Sequence, residues 1–140
     1  MESNLIFYPV VAQIILTFGM FIKLAIVKSR ALANNEVDLD RRALHSDAWP
    51  DSVLKITNNL NNQFETPVLF YALCFMLWAL NSVTFISFTV AWLFVLLRVI
   101  HIYVHAGSNF VPVRKKVFMA SSILLMLLCV LVVNGLVMAN

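Results

Sequence analysis

Residues 57–67, TNNLNNQFETP, form a polar run that leads directly into the long apolar segment 68–80. If the run is helical, four of its polar side chains recur at i, i+3, i+4 and i+7 and form one stripe: Asn58, Asn61, Asn62 and Glu65. A carboxylate that stays charged near the bilayer centre costs up to about 2.5–3.5 kcal/mol, and less towards the interface. The stripe therefore needs a partner within the protein.

The composition around this run predicts an integral membrane protein. The chain has 140 residues, of which 61% are hydrophobic and 12% charged, and its mean hydropathy is +0.88. This length holds about four spans of ~20 residues, with roughly 40–50 residues for loops and ends and no separate soluble domain. We expect an all-α membrane protein, one four-helix bundle over residues 1–140, with spans at about 5–27, 62–80, 83–105 and 117–137.

Turn signals separate the predicted spans. Asn81-Ser82 is the one polar break between two apolar runs, so spans two and three should form a tight hairpin. A helix from about Pro50 to Leu80 would be ~45 Å long and would project beyond the hydrocarbon core. Pro67 removes a backbone hydrogen bond within it, so a kink is expected just past Glu65.

The basic residues predict the orientation of the bundle. The Asn81 turn and both termini carry no basic residue. The first and third loops and their flanks carry Lys28, Arg30, Arg41, Arg42, Lys55, Arg114, Lys115 and Lys116. By the positive-inside rule those two loops are cytoplasmic and both termini face the opposite side. The net charge of +3 is explained in this way, and no nucleic-acid partner is expected.

Span three carries a second polar constellation. Arg98, His101 and His105 stand at i, i+3 and i+7 and so share one helical face. Arg98 and Glu65 lie at similar depths on adjacent helices, and each alone would be an uncompensated ion in lipid. We therefore expect an ion pair between Arg98 and Glu65.

Two interpretations of this constellation are open. In one, the ion pair only fastens the bundle and the histidines are interfacial polar residues. In the other, Glu65, Arg98, His101, His105 and the loop residue Arg114 line a polar cavity on the cytoplasmic side, which the asparagine stripe favours. His101 and His105 stand at i, i+4, but no nearby acid on that helix supports zinc, so no metal site is expected.

These residues resemble the MAPEG family, the membrane-associated proteins in eicosanoid and glutathione metabolism, and suggest a divergent, bacterial-type member. The resemblance rests on Asn62-x-x-Glu65-Thr66 before span two, Arg98-x-x-His101-x-x-x-His105 ending span three, and Arg114 after a short turn. Four spans and about 140 residues also agree, so it covers essentially the whole chain. The implied location is a bacterial inner membrane, or the endoplasmic reticulum in a eukaryote.

The resemblance implies a homotrimer with glutathione bound between subunits near the cytoplasmic face. It further implies a glutathione S-transferase or peroxidase acting on lipophilic substrates that arrive from the bilayer. Arg114 would be catalytic, because a guanidinium beside a thiol lowers the thiol pKa. The implied glutathione-binding residues are Asn58, Asn61, Asn62, Glu65, Arg98, His101 and His105.

The chain also departs from the pattern of that family. Asn58 and Asn61 stand where the well-studied enzymes carry arginines that bind the glutathione carboxylates. Lys115 stands where some members carry a hydroxyl residue, and Phe118 and His105 stand where several members carry tyrosines. One alternative is a non-catalytic member that binds a lipid or another amphiphile, or acts as a membrane partner protein. Another is a small proton-coupled transporter that uses Glu65.

Overall fold

Five α-helices and two short 3-10 turns make up the secondary structure of a computed structural model that describes residues 2–139, a range without β-strands. The helices are α1 (Phe7–Ala33), α2 (Asp51–Asn62), α3 (Thr66–Ala79), α4 (Phe85–Ala106) and α5 (Val111–Met138). Because α2 and α3 follow one another across a short break, we count them together as the second of four rods in a bundle, and α1, α4 and α5 are the first, third and fourth rods. The all-α membrane fold predicted from the composition is confirmed.

Three of the rods are long and apolar enough to cross a membrane: residues 3–33, α4 and α5. Their helices extend past the predicted spans, since α1 continues to Ala33 and α5 begins at Val111. In the second rod, α3 has only 14 residues and rises about 21 Å, less than the ~30 Å hydrocarbon core. This crossing therefore requires the end of α2 as well.

The second rod is broken rather than kinked. We expected one helix with a bend just past Glu65, but α2 ends at Asn62 and α3 starts at Thr66. Pro67 lies in the first turn of α3, where its missing N–H costs little, and its ring prevents the helix from continuing back through residue 63. The break exposes carbonyl groups at the end of α2 that no helical N–H can satisfy.

Helices α3, α4 and α5 pack around one apolar core. The Phe70 and Phe94 rings stack with their centroids 4.5 Å apart. Around them, buried residues recur at helical spacing on each facing side: Cys74 and Leu77 on α3, Val90, Ala91 and Val95 on α4, and Leu125, Leu128 and Val132 on α5. Since lipid tails are as apolar as these side chains, close packing rather than exclusion from water holds the three helices together.

Helix α1 joins the bundle partly through polar contacts. The Gln13 side chain, fully buried, donates a hydrogen bond of 3.0 Å to Gln63 Oε1, and Gln63 Nε2 donates to Asn59 Oδ1 at 3.2 Å. These three amides connect the N-terminal part of α1 with the end of α2. The sequence offers one signal for this contact, since Gln13 is the one amide side chain in the apolar run 5–27.

Asparagines in left-handed backbone conformations occur in the connections that follow α1, α3 and α4. Asn35, Asn81 and Asn109 have φ angles of 58°, 50° and 51°, a region that asparagine tolerates better than most residues do. The predicted tight turn at Asn81-Ser82 is present, and the Ser82 N–H closes α3 by donating to the Leu77 carbonyl. The first loop, residues 34–50, connects α1 to α2.

Two glycines offer a matched test of how closely α5 approaches the Asn81-Ser82 turn. A methyl group at Gly135 would lie 2.6 Å from Ser82 Oγ and 2.8 Å from Ser82 Cβ, whereas one at Gly19 would meet nothing within 4 Å. We expect Gly135→Ala to lower the free energy of unfolding by about 1–3 kcal/mol through overpacking. Gly19→Ala should raise it by up to about 1 kcal/mol through helix propensity. Thermal unfolding midpoints in one detergent would measure both, and equal or higher stability of Gly135→Ala would contradict the packing.

Candidate functional site

Arg98 is the centre of the polar cluster at the break between α2 and α3. Its side chain is completely buried. Nη1 donates to Asn62 Oδ1 at 2.8 Å and to Thr66 Oγ1 at 3.4 Å, while Nη2 donates to the Asn62 carbonyl at 3.1 Å. The guanidinium therefore connects the last residue of α2 to the first residue of α3 and satisfies a carbonyl that the break leaves open.

The expected ion pair between Arg98 and Glu65 does not form. Asn62 stands between them, because its Oδ1 accepts from Arg98 and its Nδ2 donates to Glu65 Oε2 at 2.9 Å. Glu65 itself is exposed at the break. A carboxamide can accept and donate at once, so Asn62 relays the interaction that we had assigned to direct contact. Within residues 2–139 the one salt bridge joins Arg41 to Asp47.

A cavity of about 300 Å³ lies beside this cluster. Its walls come from the end of α2, the last turns of α4 and the first turns of α5: Asn62, His101, His105, Val111, Arg114, Lys115 and Phe118. Two of these side chains are cationic and none is a carboxylate. The lining is therefore suited to an anionic group.

Arg114 is fixed in place by two acceptors. We expected it in a loop, but it lies in the first turns of α5, since that helix begins at Val111. Its Nη1 donates to Asn109 Oδ1 at 2.8 Å and lies 3.2 Å from His105 Nε2. Because a guanidinium can only donate, His105 Nε2 must accept, which places the proton of a neutral ring on Nδ1. Asn109 was predicted only as part of a turn.

The two histidines are buried with unused hydrogen-bonding groups. His101 and His105 are 3% and 6% exposed, and their ring centroids are 5.6 Å apart. Both ring nitrogens of His101 and Nδ1 of His105 have no protein partner among the described residues. Leaving such groups unpaired is costly. A ligand or water molecules in the adjoining cavity could satisfy them.

Except for Asn62, the asparagine stripe lies apart from the cavity within one chain. Asn58, Asn61 and Glu65 are exposed on the outer face of the second rod and do not line the cavity. The structure brings together the other predicted site residues, namely Asn62, Arg98, His101, His105 and Arg114. Within residues 2–139, no group of three His, Cys, Asp or Glu side chains could hold a metal ion.

The relay through Asn62 predicts unequal effects of two substitutions. Asn62→Ala removes a side-chain acceptor from a buried charged group, so the free energy of unfolding should fall by about 2–3 kcal/mol. Glu65→Gln keeps an oxygen that can accept from Asn62 and should cost less than about 1 kcal/mol. Equilibrium unfolding in mixed micelles would compare them. Equal losses from both would instead indicate a direct ion pair between Arg98 and Glu65.

Comparison with protein families agrees with the motifs quoted above. The model of the MAPEG family matches residues 6–134. That range contains every candidate site residue from Asn58 to Arg114. Comparisons with curated proteins and with solved structures find no match. Because the family match spans nearly the whole chain and the structure has the corresponding membrane helices, the protein belongs to the MAPEG family.

Proposed function

We propose that this protein binds glutathione at the Arg114 cavity and conjugates it, through its thiol sulfur, to lipophilic electrophiles dissolved in the bilayer. The observation that carries the proposal is the fixed position of Arg114, which Asn109 and His105 hold at the wall of a cavity without carboxylates. Glutathione is a co-substrate here. In the conjugation to an aryl halide, the thiol releases its proton to water, the thiolate sulfur forms a bond to the ring carbon, and the halide leaves with the electrons of the carbon–halogen bond.

The charges around the cavity fit those of glutathione, which carries two carboxylates and one ammonium group. Arg114 and Lys115 offer positive charge inside the cavity, and Glu65 offers a negative charge close to its rim through Asn62. His101 adds two ring nitrogens without protein partners. With Arg114 assigned to the thiolate, Lys115 remains for one carboxylate and Glu65 for the ammonium group, so the cavity has fewer cations than two bidentate clamps would supply.

The proposed role of Arg114 is to favour the thiolate form of the co-substrate. The thiolate is the nucleophile, and a nearby guanidinium lowers the thiol pKa by stabilising the anion. Two acceptors already hold Nη1 in place, so little reorganisation is needed when charge develops. Both of these contacts use Nη1, so we propose that Nε and Nη2 bind the anion.

We further propose a homotrimer in which a neighbouring subunit covers the exposed face of the second rod. Asn58, Asn61 and Glu65 lie exposed on a helix that leads into the membrane, and polar groups facing lipid would be unfavourable. A neighbouring subunit would shield them and place glutathione between protomers. In this arrangement the loops rich in Lys and Arg face the cytoplasm, with both termini opposite, in a bacterial inner membrane or the endoplasmic reticulum.

Arg114→Ala is the direct test of thiolate stabilisation. We expect the rate of glutathione conjugation to a nitrated aryl chloride to fall by at least about 10²-fold, the usual effect of removing one preorganised charge donor. Initial rates with detergent-purified protein measure this change. The matched control is Lys116→Ala, which removes a neighbouring cation that does not line the cavity. Undiminished turnover in Arg114→Ala, with the oligomer intact, would overturn the assigned role, and absence of any turnover or glutathione binding in the unaltered protein would overturn the function.

The asparagines that replace arginines on the second rod suggest a gain-of-function test. Asn58→Arg with Asn61→Arg should strengthen glutathione binding by at least tenfold, because each charged hydrogen bond to a carboxylate contributes about 1.5–3 kcal/mol. Calorimetric titration would measure the dissociation constant. Asn58→Gln with Asn61→Gln serves as the control that keeps neutral amides. Unchanged affinity in the arginine pair would mean that glutathione does not contact this face.

A second candidate function is the binding of a different amphiphile without catalysis. The neutral amides of Asn58 and Asn61 favour it, since they suit a ligand with fewer carboxylates than glutathione. Native mass spectrometry of the purified oligomer separates the two functions. A retained ligand without a thiol supports this second candidate, and bound glutathione opposes it.

A further inference from the structure

We propose that the first loop and the adjoining helix ends form a binding site for the phosphate-bearing headgroup of an anionic phospholipid. A cavity of about 210 Å³ lies between the end of α1, the loop and the first turns of α2. Its polar lining comes from Lys28, Arg42, His45, Ser46, Trp49 and Thr57. It shares no residue with the Arg114 cavity.

The positive charge of this cavity is not neutralised by the carboxylates of the loop. Asp47 accepts a hydrogen bond of 2.7 Å from Arg41, which holds the pKa of its carboxyl group below the usual range and keeps it ionised and paired. Asp38 accepts from the backbone N–H groups of Asp40 and Arg41. No carboxylate lines the cavity. Lys28 and Arg42 therefore present two cations without an acidic counterpart.

Trp49 holds these cations in a defined arrangement. Its Nε1 donates to the Arg42 carbonyl at 3.2 Å, which fixes the loop. The Lys28 Nζ lies 4.8 Å from the centre of its ring, so the indole also positions the ammonium group. One aromatic side chain thus connects the cationic residue of α1 to that of the loop.

The position of the cavity favours a lipid over a soluble anion. Lys28 directly follows Val27, the last residue of the apolar run in α1, so the cavity lies at the level where headgroups begin. Leu44, which lines the cavity, is 89% exposed, and Leu39 in the same loop is 63% exposed. Exposed leucines beside cations suit a surface that meets acyl chains and phosphate together. A free phosphate would make no apolar contact with these leucines.

The test measures lipid retention by the full-length protein in native mass spectrometry, with phosphatidylglycerol and phosphatidylcholine of identical acyl chains. We expect preferential retention of phosphatidylglycerol. Lys28→Gln with Arg42→Gln should weaken that retention about 30-fold, equivalent to ~2 kcal/mol at 1.4 kcal/mol per tenfold. The control, Lys23→Gln with Arg30→Gln, removes the same charge from the same end of α1 without touching the cavity. It should change retention less than about threefold, since screened surface charges contribute little.

Each other outcome overturns the proposal. Equal losses in the two double variants would indicate general attraction between a basic surface and anionic lipid. A site for a soluble anion would be indicated by two results together. A large excess of inorganic phosphate would displace the lipid, and Leu44→Ser would bind lipid with the same affinity as the unaltered protein. Equal retention of both lipids would exclude headgroup recognition. Circular dichroism and oligomer mass verify that each variant is folded.

Discussion

The buried guanidinium of Arg98 is the constraint on which the polar end of the bundle depends. A charged group without solvent access needs acceptors, and here Nη1 and Nη2 find them because the second rod is interrupted, while Nε has no hydrogen-bond partner among the described residues. The interruption at residues 63–65 frees the Asn62 carbonyl and turns the Asn62 amide towards α4. Pro67 and Arg98 therefore belong to one arrangement: the first breaks the helix and the second satisfies the groups left open.

This arrangement also determines the character of the neighbouring cavity. Arg98 is engaged by Asn62 and Thr66 behind the cavity wall, so the cations that face the cavity are Arg114 and Lys115. His105 contacts Arg114, whereas the ring nitrogens of His101 have no hydrogen-bond partner among residues 2–139. Arg98 therefore has a structural role, whereas Arg114 is available to a ligand, although both lie near His101 and His105.

Most of the fold, and the shared face of three polar residues on α4, could be predicted from the sequence. Apolar runs, turn residues and basic clusters indicated the rods, and helical spacing placed Arg98, His101 and His105 on one buried face. The relation of Glu65 to Arg98 could not be predicted, because matched depth does not reveal whether a helix break turns one side chain outward. The role of Asn58 and Asn61 depends on what covers the exposed face of α2, and the spacing of residues within one chain does not reveal that.

The shortness of α3 has a consequence for the membrane itself. With about 21 Å of helix between the break and the Asn81 turn, α3 alone is shorter than the helices beside it and shorter than the hydrocarbon layer. The end of α2 would complete the crossing of a bilayer of ordinary thickness, and the polar groups at the break favour a bilayer that thins locally instead. The dip would form next to the polar cluster, so headgroups and water would reach deeper there than elsewhere around the protein. A water-soluble reactant and a fat-soluble one could then meet at a single depth, without either crossing into a phase that excludes it.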